Sequence, residues 1–216
     1  MNLNVITTNR AQIYLMFYKP TPSDPVLNRL VAFFDGPFCH VEMAFPDRYG
    51  EEPWEKEIWG SSIFQGETVF YRPKTYKRDG YVSFAIEVSL SQLYKIRSFC
   101  KQQMHAKVPF CIKSMYAAYV PFQIYTNDAA TFCSKHVTSA LQYGNIEMVN
   151  GINPALMTPS RLYSILKSKA PIVQAVPCKM LPTNVNPCCA KLVKDLIQNN
   201  HPSDKKSFSK PIFSMV

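Results

Sequence analysis

Phe38-Cys39-His40-Val41-Glu42-Met43-Ala44-Phe45 alternates along its length. As a strand it sets His40, Glu42 and Ala44 on one face and Val41, Met43 and Phe45 on the other, because successive strand side chains point to opposite sides. Before it, residues 12–18 are rich in β-branched and aromatic types and predict a first strand, stopped by Lys19-Pro20-Thr21-Pro22. Asp24 then caps a short helix with Pro25 first, in which Val26, Leu30, Val31 and Phe34 recur on one face, and Asp35-Gly36-Pro37 ends it. After it, an acidic loop over 46–53 leads to short strands over 57–64 and 67–72 around a Gln65-Gly66 turn. A further strand covers 81–88.

From Ser91 the period changes. Leu93, Ile96, Cys100 and Met104 are spaced for a helix over 91–105, with Ser89 or Ser91 as cap. An aromatic-rich segment, 108–125, precedes Thr131-Phe132-Cys133-Ser134-Lys135-His136-Val137. These residues open a helix that runs to Gly144, with Thr131 as its possible cap. Met157-Thr158-Pro159 starts another helix, with Thr158 as cap and Leu162, Ile165 and Leu166 inward. The composition then shifts: six of the seventeen prolines fall in 171–216, around one amphipathic helix over 187–198 (Leu192, Val193, Leu196, Ile197). The division expected is a domain over 1–170 and a basic, Pro-rich extension over 171–216 that ends in a flexible tail.

The chain has 216 residues, 47% of them hydrophobic and 13% aromatic, enough to fill a core and to exclude wholesale disorder. The longest apolar run, 115–122, falls short of the roughly 20 residues a bilayer requires, and the N-terminus shows no basic cluster followed by an apolar run. Seven cysteines with no C-x-x-C and no secretory signal are expected to be free thiols in a reducing, cytoplasmic setting. The net charge of +9 is uneven: residues 41–70 hold seven acids against two bases, and residues 160–216 hold nine bases against two acids, a local +7. That basic quarter suits an anionic membrane or an acidic partner, or simply a solvated surface.

Cys133 sits in the first turn of its helix. A free thiol with pKa near 8.5 is about 3% thiolate at pH 7. A helix N-terminus and a nearby imidazolium lower that pKa, and the same N-terminus offers N–H groups to an oxyanion. Cys133 also fits a plain buried position on an amphipathic helix. His40, on the polar face of its strand, meets either solvent or a site, and His136, three residues after Cys133, is the rival imidazole. Cys39, His40, Cys133 and His136 total four borderline or soft ligands. Neighbouring strand residues point to opposite faces, however, which argues against one zinc ion holding both Cys39 and His40.

The order of strand, helix, histidine strand, short strands with Glu57, long helix, Pro109-Phe110, Cys133 helix and Met157-Thr158-Pro159 resembles the circularly permuted papain-fold hydrolases of the NlpC-type superfamily. That superfamily includes the bacterial YiiX-like proteins, a poxviral group and, more distantly, lecithin–retinol acyltransferase. The resemblance covers about residues 10–168. It departs from the family at Val41-Glu42-Met43, where many members carry a small or glycine-containing segment. It implies an α+β fold of permuted papain topology, an antiparallel sheet packed against the helix that bears a nucleophilic Cys133. His40 would be the base and Glu57 the residue orienting it, with Glu42 as substitute. The implied activity is cysteine-dependent hydrolysis of a peptide amide through a thioester, without metal or organic cofactor. Alternatives are a lipid-directed acyltransferase or esterase with the same Cys–His pair, and a non-catalytic basic module on the same scaffold. Phe70-Tyr71-Arg72 and Tyr76-Lys77-Arg78 interleave rings with charge as single-strand binders do, but such a binder needs no helix-start cysteine after a strand histidine, so nucleic acid is not the expected partner.

The basic extension supplies no residue matching a catalytic motif. Truncation after Asn199 is therefore expected to leave the thermal unfolding midpoint and the iodoacetamide reactivity of Cys133 unchanged. Loss of that reactivity would place the tail at the site.

Overall fold

The computed structural model describes residues 9–119 and 129–169, and the extension expected over 171–216 lies outside them. Strand β1 (Arg10–Tyr18) carries Ile13, Leu15 and Phe17 to one face and Tyr14 and Met16 to the other, all buried. It is therefore an inner strand whose two faces are both covered. Strands β2 (His40–Phe45), β3 (Glu57–Ser62), β4 (Phe70–Thr75) and β5 (Tyr81–Ser89) complete five strands in the order β4-β3-β2-β1-β5, every pairing antiparallel. The register sets Tyr18 against His40 on one side and against Tyr81 on the other. The protein is thus α+β with an antiparallel sheet.

β4 begins three residues later than the sequence predicts and runs through Pro73. A proline lacks the N–H of a ladder bond, so it reads as a strand stop. β4 lies at the sheet edge, where one side of the strand has no ladder to complete.

Helices α2 (Leu90–His105), α4 (Cys133–Tyr143) and α5 (Pro159–Lys169) cover the face formed by Ile13, Leu15, Phe17, Val41, Met43 and Phe45. α2 starts with a full capping box: the Ser89 side chain accepts from Gln92 N–H, and the Gln92 side chain accepts from Ser89 N–H. α4 is the central helix, with seven buried residues, among them Val137, Ala140 and Leu141. Its cap position is Phe132, with no side-chain capping bond, so Thr131 does not cap it. No helix among the described residues is long and apolar enough to cross a membrane.

Helix α1 (Val26–Asp35) departs from expectation. Asp24 does not cap it but closes the preceding turn, accepting from Thr21 N–H at 2.6 Å and from the Tyr18 hydroxyl at 2.9 Å. Of the four apolar residues expected to share a face, Val31 alone is buried. Val26, Leu30 and Phe34 point outward, because Leu27 and Val31 form the inner side.

His136 lies under the sheet. The Ser61 hydroxyl donates to Phe70 C=O at 2.9 Å, so Ser61 Oγ, 3.0 Å from His136 Nε2, accepts the imidazole proton. Nδ1 has no partner among the described residues, and burial pulls the pKa down to about 4. Since the folded protein holds this ring neutral, its contribution is complete above pH ~6.5 and lost as pH falls toward ~4. Unfolding free energy is expected to drop by on the order of 3 kcal/mol across that window, and His136→Gln should flatten the slope in urea titrations.

Candidate active site

Two side-chain latches bring the ends of β2 and α4 together. Asp35, at the end of α1, accepts from the Thr158 hydroxyl and, at 2.8 Å, from Ser160 N–H, while Thr158 Oγ1 accepts from Arg161 N–H at 3.3 Å. Ser160 Oγ in turn accepts from Phe38 N–H at 3.3 Å, which ties the chain just before His40 to α5. Ser134 donates to Met157 C=O at 2.6 Å and holds the start of α4 to the same segment. Met157-Thr158-Pro159 therefore anchors the histidine strand and the cysteine helix at once. The chain leading into α4 is pinned as well, with Thr131 N–H donating to Pro109 C=O at 3.0 Å and Cys111 N–H to Thr131 C=O at 2.8 Å.

Cys133, only 5% exposed, is the first residue of α4. Burial by itself pushes its thiol pKa up. His40, by charge and by hydrogen bond, and the N–H groups of Val41 and Ser134 outweigh burial and bring it below the ordinary thiol value. Burial likewise disfavours the His40 cation, but Cys133 and then Glu42 hold it, and its pKa rises to about 9. The two shifts have one sense: each favours the pair's thiolate–imidazolium form. The imidazole also stacks on Phe64, with ring centroids 4.7 Å apart at 21°.

Glu42 is the carboxylate behind His40. Its Oε1 lies 3.4 Å from His40 Nε2, a close charge contact without the alignment of a hydrogen bond. The side chain is completely buried. Lys74 Nζ donates to Oε1 at 2.5 Å, the Tyr81 hydroxyl to Oε1 at 3.0 Å and the Tyr76 hydroxyl to Oε2 at 3.1 Å. Burial would raise the carboxyl pKa, yet His40 and then Lys74 bring it down to about 2, so Glu42 is an anion at every physiological pH. Gly60 leaves the space that the Tyr76 hydroxyl occupies, since a Cβ there would sit 2.5 Å from that oxygen.

Glu57, the expected orienting residue, is not placed beside His40. It is exposed at the start of β3, paired with Thr75. The end of β3 that reaches the site is Ser62, whose hydroxyl donates to Val41 C=O at 2.7 Å; five residues of strand, roughly 16 Å, separate the two ends. Glu42, the substitute, takes that position. Lys74, Tyr76 and Tyr81 carried no such role in the sequence reading. They come from the two edge strands, Lys74 in β4, Tyr76 just past it and Tyr81 in β5, each separated from the histidine strand by one intervening strand. His136 faces Ser61 and Phe99 rather than the thiol. Phe70, Tyr71 and Tyr76 are buried, so those rings do not present faces to bases.

The pair opens onto a cleft of about 320 Å³ with Leu27, Val31, Ile63, Phe64, Phe110 and Met115 among its walls and Asp24 and Gln65 among its polar groups. Cys39 lines it too, but burial pushes that thiol up to about 12. Cys100 is buried and likewise raised to about 12. Cys111 is the rival: burial raises it, but hydrogen bonds from the Ser114 side chain and backbone outweigh this and lower it. Among the described residues no three His, Cys, Asp or Glu side chains are grouped to hold a metal ion.

Replacing the anion behind His40 should release the proton at lower pH. For Glu42→Gln, the upper limb of the pH profile of Cys133 alkylation is expected to shift to lower pH and the rate at pH 6 to fall about tenfold. Glu57→Gln should leave both unchanged.

No family model, curated protein or solved structure matches this chain.

Proposed function

We propose that the protein is a cysteine hydrolase of permuted papain type that cleaves an amide through a thioester on Cys133. The observation that carries this reading is a helix-start thiol of lowered pKa that shares its proton with a strand histidine backed by a buried carboxylate, all at the end of a cleft. With Nε2 turned to Glu42, Nδ1 is the nitrogen that serves the thiol. The Cys133 thiolate attacks the substrate carbonyl carbon, and the carbonyl π electrons move onto oxygen. N–H groups of the first turn of α4, which have no helical acceptor, stabilise that oxyanion. The tetrahedral adduct collapses with cleavage of the C–N bond, and the His40 imidazolium gives its proton to the departing amine. Water gives a proton to the now neutral His40 as its oxygen attacks the thioester carbon, and cleavage of the C–S bond releases the carboxylic acid and restores the Cys133 thiolate beside the His40 imidazolium. Glu42 remains ionised throughout and serves to orient and stabilise the imidazolium.

A lipid ester as substrate draws on one specific feature, the apolar walls of the cleft, and would use the same steps with an alcohol leaving group. The peptide reading is preferred because Asn28 and Gln65 offer amide contacts along the cleft.

Incubation with an activated acyl ester is expected to load Cys133 with a hydroxylamine-labile acyl group visible by peptide mass mapping. Cys133→Ala should abolish loading. His40→Gln should slow it at pH 7 by about a hundredfold or more, and His136→Gln should leave the rate within about twofold. Loading on Cys111 in place of Cys133 would overturn the proposal.

A further inference from the structure

α1 carries apolar side chains on two sides. Leu27 and Val31 line the cleft, while Val26, Leu30, Phe33 and Phe34 are 60%, 46%, 81% and 74% exposed. Positions 26, 30, 33 and 34 share one face of a helix, since they are spaced by whole turns. The Phe33 and Phe34 rings touch only edge to face, with centroids 5.3 Å apart. Two adjacent phenylalanines left this exposed on a helix are unusual in a surface that faces water alone.

The charges around this face select its occupant. The two acids of the segment keep their charge but are only half exposed, with their oxygens turned to neutral donors, Asp24 to Tyr18 and Thr21 and Asp35 to Thr158 and Ser160. Lys19 and Arg29 are exposed. A second helix at the cleft has a similar composition: α3 (Ile112–Ala117) exposes Ile112 and Tyr116 beside Lys113 and contributes Met115 to the cleft lining. An apolar face with protruding aromatics flanked by cations matches the interface of an anionic bilayer, where rings enter the acyl boundary and cations meet headgroups. A second copy fits less well. Four side chains on a ten-residue helix offer far less than the roughly 800 Å² per partner of a stable dimer.

We infer that the outer face of α1, through Val26, Leu30, Phe33 and Phe34, docks the protein peripherally on anionic membranes. The same helix walls the Cys133 cleft, so docking would bring that cleft close to the lipid surface. This inference does not depend on Cys133 being a nucleophile.

The test is co-sedimentation of the full 216-residue chain with phosphatidylcholine vesicles containing about 30% phosphatidylserine, at about 0.15 M salt. The chain is expected to bind, and Phe33→Ser combined with Phe34→Ser to lower the partition coefficient about tenfold or more, with an unchanged thermal midpoint because both rings are exposed. Cys133→Ala should bind like the parent. In Phe33→Trp the added indole emission should shift to the blue on vesicle addition, a readout that needs no destabilising change. Three results would each overturn the inference: no binding of the parent chain, no blue shift, or a double variant that binds like the parent, which would assign the contact to the basic extension. A dimer dissolved by the double variant would assign the face to a second copy and overturn it equally.

Discussion

Glu42 is a carboxylate with no solvent contact, set in the sheet two residues from the strand histidine. Removing such a group from water is expensive, several kcal/mol per ion even after relaxation. The surrounding structure offsets this by converging on it a lysine, two phenols and an imidazole. Lys74 comes from the edge strand β4, Tyr76 from just beyond it and Tyr81 from β5 at the opposite edge of the sheet. Both ends of the sheet thus depend on one anion. Losing any partner leaves the rest with unbalanced charge or unmet donors, and breaking a buried pair in this way commonly costs about 3–5 kcal/mol.

The same cluster governs the electrostatics of the thiol. Cys133 and then Glu42 favour the charged form of His40, and His40 in turn favours the thiolate form of Cys133. Lys74 limits how strongly Glu42 acts by taking the same oxygen, Oε1, that faces His40. Its ammonium lies within 6 Å of four ring centroids, those of Phe64, Phe70, Tyr76 and Tyr81, so cation–π attraction keeps it in place without a second anion. Glycine at position 60 belongs to this arrangement, since a methyl group there would push the Tyr76 hydroxyl off the carboxylate.

Around this centre the fold contributes mostly alignment. His40 and Cys133 are far apart in sequence and on different elements, and their separation is set by the segment 157–160. One hydroxyl at each end of that segment's contacts, Ser134 for α4 and Ser160 for the chain before β2, closes the linkage. A short polar motif between two helices therefore does for the site what a disulfide does elsewhere. It holds two elements in register with hydrogen bonds that remain intact in a reducing environment.

Much of this was legible from residue order. Alternation in 38–45 placed His40 and Glu42 on one face, the period of 91–105 and the Thr158-Pro159 pair marked helices, and Cys133 stood at a helix start. All of these are local properties, set by the repeat of 2.0 or 3.6 and by capping chemistry. Three matters were not local. Glu42 rather than Glu57 backs the histidine because strand pairing puts Glu57 at the far end of β3. The apolar face of α1 points outward because Leu27 and Val31 occupy the inner side, and helical periodicity cannot say which of two apolar stripes a neighbour will cover. Lys74, Tyr76 and Tyr81 acquire meaning only when strands from opposite edges of the sheet are folded over one carboxylate. Sequence by itself determined most of the elements and singled out His40, Glu42 and Cys133 as candidates; tertiary structure decided which charges meet, because long-range pairing chooses the register and buries one particular anion.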